Sequence, residues 1–375
     1  LTLPTAIQEL PEAEVVEADS VTFPLGWISE NASPAVVYRS FAEVAPSVRG
    51  SSDISNLPYA HQAALRLAFS QQRDGTWSGS MLTIPSRTSS DFAGVGTIQA
   101  VRRLAEYGWS AESPPLLLAR RLLFRLLAED NDPAFLYELA QKARDDDMVR
   151  RNRSLLREAS ASALAQLGYE NDPRLRGAAR RILERITAFL DSPLGEKPWI
   201  RIGNTHVLSP DAAPPSLYTL TMLAHMPIFR HEHHTAIERI FVYMQQSLPR
   251  QDPIQVFGKK FVPQPQLVLG DVLPHRNAVE ADVPFALLWL ETMARLGFLK
   301  RHEGWMKMYE RFVDDRGRDG VWHPHKGAGT PHTSNPWSWP TFPLEDGTNP
   351  AAKYSDITFR IGLIGKLLGK EIELI

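Results

Sequence analysis

From about residue 34 onward, apolar side chains recur at three- and four-residue intervals, and strand-like alternation is almost absent. The spacing predicts helices over 34–45, 58–70, 94–108, 113–128, 133–142, 148–167, 173–190, 215–226, 233–246, 276–296, 302–314 and 357–368. Asp132-Pro133 and Asp172-Pro173 each set a capping carboxylate before a proline at the first helical position. Gly108, Gly168 and Gly297 stand at or just past the apolar ends of helices, where a left-handed residue closes the last turn. Short turns between successive helices predict antiparallel neighbours. Residues 1–33 are acidic and irregular, and are expected to form an arm lying on a single domain over 34–375.

Three stretches break the helical rhythm: 197–213, 251–275 and 316–354. All are rich in proline, glycine and aromatic residues, and long structured loops of this kind often carry function. A local device also recurs. Gln71-Gln72-Arg73-Asp74-Gly75-Thr76-Trp77 follows one predicted helix, and Arg318-Asp319-Gly320-Val321-Trp322 follows another. Each reads as a helix end, a turn on Asp-Gly that uses glycine's access to positive φ, and a tryptophan folded back as a wedge between helix pairs.

These segments resemble the QW-type repeat of squalene–hopene cyclases and the related repeat of protein prenyltransferase β subunits. The stretch 71–130 resembles one full repeat, 277–322 another, and YSDITFRIGLIGKLLG a last inner helix. The resemblance implies an all-α fold, a single (α/α)6 toroid of about twelve helices in inner and outer rings around a central cavity. It also implies a ligand class, an isoprenoid or similar apolar chain, bound and cyclised by protonation.

Terpenoid cyclases of this kind protonate an alkene from an Asp-x-Asp-Asp motif at the start of an inner helix. The acid must be neutral, hydrogen-bonded and dry. The matching place here reads Glu280-Ala281-Asp282-Val283. Asp282 falls on the central acid, Glu280 on its helper, and Val283 replaces the third aspartate. Asp91 and Asp356 occupy similar places before other predicted inner helices, as plain helix-start carboxylates do. Phe285, Trp289, Tyr218, His275, Trp322, Trp337 and Trp339 are the aromatic candidates for lining the cavity or its rim, where ring faces guide a carbocation.

The sequence also carries candidates for other chemistries. A carbohydrate-active toroid would draw on Trp199, Asn204, His206, Tyr218, His275, Arg276 and Asn277, with sugar rings stacked on aromatic faces. A non-catalytic scaffold would keep the fold without the acid. His323, His325 and His332 sit in one loop with Glu345 and Asp346 and are the candidates for a metal, although no metal or other cofactor is expected. His231, His233 and His234 lack the HExxH spacing. Asp145-Asp146-Asp147 reads as an acidic helix start rather than a magnesium–diphosphate motif.

Composition narrows the field further. The 375 residues include no cysteine, which removes disulfides, thiolate metal sites and cysteine nucleophiles, including the usual zinc set of prenyltransferases. The net charge of −2 gives no basic excess, so no nucleic-acid partner is expected. No apolar run reaches membrane-spanning length, which leaves peripheral membrane contact open. Freedom from cysteine suits a soluble bacterial protein, and the cytoplasm is the expected location. The oligomeric state has no signature in the sequence.

Overall fold

The computed structural model describes residues 20–47, 51–85, 92–128, 132–142, 146–246, 253–258, 260–273, 282–324, 331–332, 335–345 and 350–375. Most of them are helical. The described residues begin with β1 (Ser20–Phe23), α1 (Leu25–Asn31) and α2 (Pro34–Arg39), which continues as a wider turn over Ser40–Val44. Then come α3 (Leu57–Ala60), α4 (Gln62–Phe69), α5 (Thr97–Glu106), α6 (Pro114–Leu127), α7 (Asp146–Gln166) and α8 (Pro173–Asp191). A hairpin, β2 (Trp199–Ile202) and β3 (Thr205–Leu208), leads to α9 (Leu217–Ala224), α10 (Pro227–Glu232) and α11 (His234–Met244). A second hairpin, β4 (Ile254–Phe257) and β5 (Lys260–Pro263), precedes α12 (Val283–Arg295) and α13 (Glu303–Asp314). The chain closes with α14 (Pro350–Leu367) and β6 (Glu371–Leu374).

Side-chain caps explain several of these starts. Asp172 accepts from the Arg174 N–H at 2.9 Å, Ser216 from Thr219 at 3.1 Å and Asp282 from Phe285 at 3.0 Å, each satisfying a backbone donor with no partner inside its helix.

Burial sorts the helices into two kinds. Helix α5 is buried over nearly its whole circumference, and every residue of α14 from Ser355 to Gly365 is buried. Helices α6, α8 and α13 bury one stripe and expose the other, as a covering layer does. The enclosed helices contact one another in chain order: α5 with α7, α7 with α9, α9 with α12, α12 with α14, and α14 with α2 and Ser40–Val44. Glycines allow the closest approaches to α14. A Cβ at Gly362 would lie 2.4 Å from the Phe23 ring, and one at Gly365 2.7 Å from the Tyr309 hydroxyl.

The repeated turn has the same wiring in both places. Asp74 accepts from the Thr76 N–H at 2.9 Å, and Asp319 from Val321 at 3.1 Å. Gly75 and Gly320 take φ of +87° and +74°. The Trp77 N–H donates to Thr97 Oγ1 and the Trp322 N–H to Thr358 Oγ1, both at 3.0 Å, so each tryptophan is tied to the next enclosed helix. Gln71 adds bonds to the carbonyls of Gly75 and Pro115 at 3.1 and 2.9 Å.

The structure departs from the expected all-α pattern in several places. Residues 20–31 are not an irregular arm. They form β1 and α1, with Phe23 and Ile28 fully buried, and β1 pairs in parallel with β6 from Ser20–Glu371 to Phe23–Leu374. The two hairpins join through β3 and β4 into a four-stranded sheet inside the stretches read as loops. The helix expected over 133–142 is broken, because Tyr137 adopts φ +46° and ψ −129°. Asp356 does not precede a helix; it lies inside α14, which begins at Pro350.

Candidate functional site

A cavity of about 910 Å³ opens among the first turns of the enclosed helices. Helix α7 contributes Met148, Arg151 and Leu155, which share one face at spacings of three and four. Gln99 comes from α5 and Tyr218 from α9, while Leu82, Ile84 and Leu139 enter from connecting segments. Strand β5 supplies Lys260, Phe261, Val262 and Pro263, and the short turn Pro336–Ser338 supplies Trp337.

The floor is aromatic and amide-lined. The Tyr218 and Trp337 rings meet edge to face at 5.1 Å between centroids. Gln99 Nε2 donates to the Tyr218 hydroxyl at 3.3 Å, and the Arg102 guanidinium lies over the Tyr218 ring at 5.8 Å. Burial pushes the Tyr218 hydroxyl up to about 12, so it stays protonated and able to donate. Below this floor a void of about 10 Å³ is bounded by Arg102, Phe285, Trp289 and Trp337.

The opposite ends of the enclosed helices are occupied by charge. Arg39 Nη1 bonds Glu106 Oε2 at 2.5 Å, Arg360 bonds Glu106 at 2.6 Å and Glu291 at 2.7 Å, and Arg295 bonds Glu291 at 2.9 Å. Arg295 reaches Glu43 at 3.5 Å, and Glu43 returns to Arg39 at 3.0 Å. Three arginines and three glutamates thus alternate in a closed ring. Burial opposes the ionisation of Glu106, but Arg360 and Arg39 outweigh it and hold the carboxyl well below its usual range. Beside this ring, burial lowers His225 to about 4, so it is neutral at pH 7.

The described residues among those expected to act together are dispersed. Tyr218 and Trp337 line the cavity; Phe285 and Trp289 reach only the small void beneath it. Asp282 is outside the described cavity lining. Both its oxygens accept backbone N–H groups, Oδ1 from Phe285 at 3.0 Å and Oδ2 from Asn335 at 3.1 Å, which makes it a cap and an anchor for the turn carrying Trp337. Trp322 is 3% exposed and packs as the repeat's wedge. Trp339 is covered by the Arg103 guanidinium at 5.1 Å, and its carbonyl accepts from Arg103 at 2.6 Å. Glu280 and His275, with Asp91, His325, Arg276 and Asn277, lie outside the described residues. His323 and His332 are exposed, and no group of three metal-binding side chains exists among the described residues. Of the sugar-binding candidates among the described residues, Asn204 and His206 are exposed on the β2–β3 hairpin, and only Tyr218 lines the cavity.

Sequence reasoning missed Arg151 and Gln99. The face Met148–Arg151–Leu155 was the available signal: a cation between two apolar residues on one helical stripe. No described helix is long and apolar enough to cross a membrane. Comparison with protein-family models, with curated proteins and with solved structures gave no match.

Proposed function

We propose that this protein is an (α/α)6-type helical ring that binds an apolar chain of the isoprenoid kind in its cavity. The carrying observation is the cavity itself: about 910 Å³, walled mainly by aliphatic, proline and aromatic side chains, with a few converging polar groups. That volume and lining are those of a site for a drug-sized or larger apolar ligand. The chain-order packing of the enclosed helices, the return of α14 to α2 and the doubled Asp-Gly-x-Trp turn all support the ring.

The reading is one of binding. Asp282 is committed to two backbone donors away from the cavity lining, so no protonation step is assigned to it. The Arg–Glu ring across the opposite helix ends favours a second reading, a scaffold that keeps the ring and performs no chemistry, because it fills the space a through-running substrate would need.

The test is titration with farnesol, geranylgeraniol and squalene, followed by tryptophan fluorescence and native mass spectrometry. Saturable binding that is lost in Leu155→Trp, which fills the cavity from α7, is the expected result. No saturable binding by the wild type would overturn the cavity reading and leave the scaffold. Binding unchanged in the filled variant would place the ligand elsewhere.

A further inference from the structure

The polar groups on the cavity wall are unequal in charge. Arg151 and Lys260 are its cations, and no carboxylate occurs among the described lining residues. Lys260 is exposed on β5, whereas Arg151 projects from α7 into a largely covered position. The Arg151 guanidinium makes two hydrogen bonds, from Nη1 to Asn152 Oδ1 at 2.8 Å and from Nη2 to Gln264 Oε1 at 2.7 Å. Both acceptors are neutral amide oxygens. The Phe257 ring lies 5.9 Å from the guanidinium as a further neutral contact. A guanidinium offers five N–H donors, so the described neighbours neither neutralise nor saturate this one, and its buried Nε bonds none of them.

Among the described residues, the acid whose field reaches Arg151 is Glu158, and Glu158 is already engaged. Its Oε1 bonds Arg185 at 2.6 Å and its Oε2 accepts from the hydroxyls of Ser216 and Thr219. Arg151 is accordingly lowered by desolvation to about 10, with Glu158 offsetting part of that, and remains charged at neutral pH. Covering a charge without an opposite charge is costly, and a ligand that brings an anion to the cavity would offset that cost.

We infer that the cavity takes an amphipathic acid, an apolar chain ending in a single carboxylate, with the carboxylate paired to Arg151 and the chain lying among Met148, Leu155, Leu82 and Trp337. The inference rests on the cavity being the binding site, as proposed above. One covered guanidinium matches one carboxylate in the two-pronged geometry the two groups share. A diphosphate carries more charge than Arg151 and a rim lysine balance, and a neutral alcohol leaves the guanidinium without its partner.

The test compares dodecanoate, dodecanol and farnesyl diphosphate by calorimetry at pH 7.5, on wild type, Arg151→Gln and Arg151→Lys. The wild type is expected to bind dodecanoate about tenfold or more tighter than dodecanol, the margin of a charge-assisted hydrogen bond. Arg151→Gln should erase that preference while still binding dodecanol, which also reports that the variant is folded. Arg151→Lys should keep part of it. Equal affinity for acid and alcohol, a preference that survives Arg151→Gln, or tighter binding of the diphosphate would each overturn the inference while the cavity reading stands. Binding of none of the three would remove both.

Discussion

Asp282 Oδ2 accepts the backbone N–H of Asn335 at 3.1 Å, across 53 residues of chain, while its Oδ1 caps α12. One carboxylate thus fixes two things, the start of an enclosed helix and the turn that carries Trp337 to the cavity. Replacing it with alanine removes both acceptors. The expected cost is about 1–3 kcal/mol, from a lost cap and a half-buried N–H left without its partner. Asp282→Asn keeps one good acceptor and should cost less. Urea denaturation of the two variants checks the order, and a stability unchanged in Asp282→Ala would refute the anchoring role.

Thr97 on α5 and Thr358 on α14 do the same job, since each hydroxyl receives the N–H of a wedge tryptophan. Valine has the same shape without the hydroxyl, so Thr97→Val and Thr358→Val each leave a buried donor unpaired. Losses of about 1–3 kcal/mol are expected at both sites, and they should add in the double variant because the two turns share no partner. Thr97→Val carries a second loss, since its hydroxyl also donates to the Ser80 carbonyl at 3.0 Å. Thermal unfolding of the two single variants and the double variant tests this, and a neutral Thr358→Val would show that the repeated turn is not held by this bond.

The helices were legible because their signals are local. Asp172-Pro173 capped a helix as its spelling implied, and Gly108 and Gly168 closed turns at φ of +85° and +82°. Helix α14 began before its predicted start because Ala351 and Ala352 give no apolar stripe to read. The β2–β3 hairpin has a local signature: a two-residue Gly203-Asn204 turn, with Gly203 at φ +61° between short β-branched runs. The β1–β6 pairing has no local signature, since it joins Ser20 to Glu371. The same distance hides the sites. Glu106 meets Arg360 across 254 residues and Arg151 meets Gln264 across 113, and neither pairing can be inferred from spacing. The anchoring bonds of Asp282 are hidden for the converse reason: a motif position names a residue type, while this contact depends on Asn335, which the motif does not include.

The buried carboxylates fall into two sets with opposite pH behaviour. In the Arg–Glu ring, burial opposes the ionisation of Glu106 and Glu291, but the arginines prevail and both are held below their ordinary value of 4.5. Their contribution is present above that unfolded value and is lost as pH falls through their folded values. Glu345 and Asp356 behave the other way. Burial raises Glu345 to about 8 and Asp356 to about 6, against the bonds they accept from Ser33 and Leu344. Their contribution is complete below the ordinary carboxyl range and is lost as pH rises through about 6 and then about 8. Stability should therefore fall on both the acid and the alkaline side. Glu345→Gln keeps an acceptor for the Ser33 N–H and cannot ionise, so it should flatten the alkaline decline and exceed the wild type in stability at pH 9. Glu106→Gln should instead cost about 3–5 kcal/mol at pH 7, because it takes from Arg360 and Arg39 one of the two carboxylates each is paired with and leaves the buried ring with an excess positive charge. Urea midpoints at pH 4, 6 and 9 separate the two sets, and parallel pH profiles for wild type and Glu345→Gln would refute the assignment of the alkaline arm to Glu345.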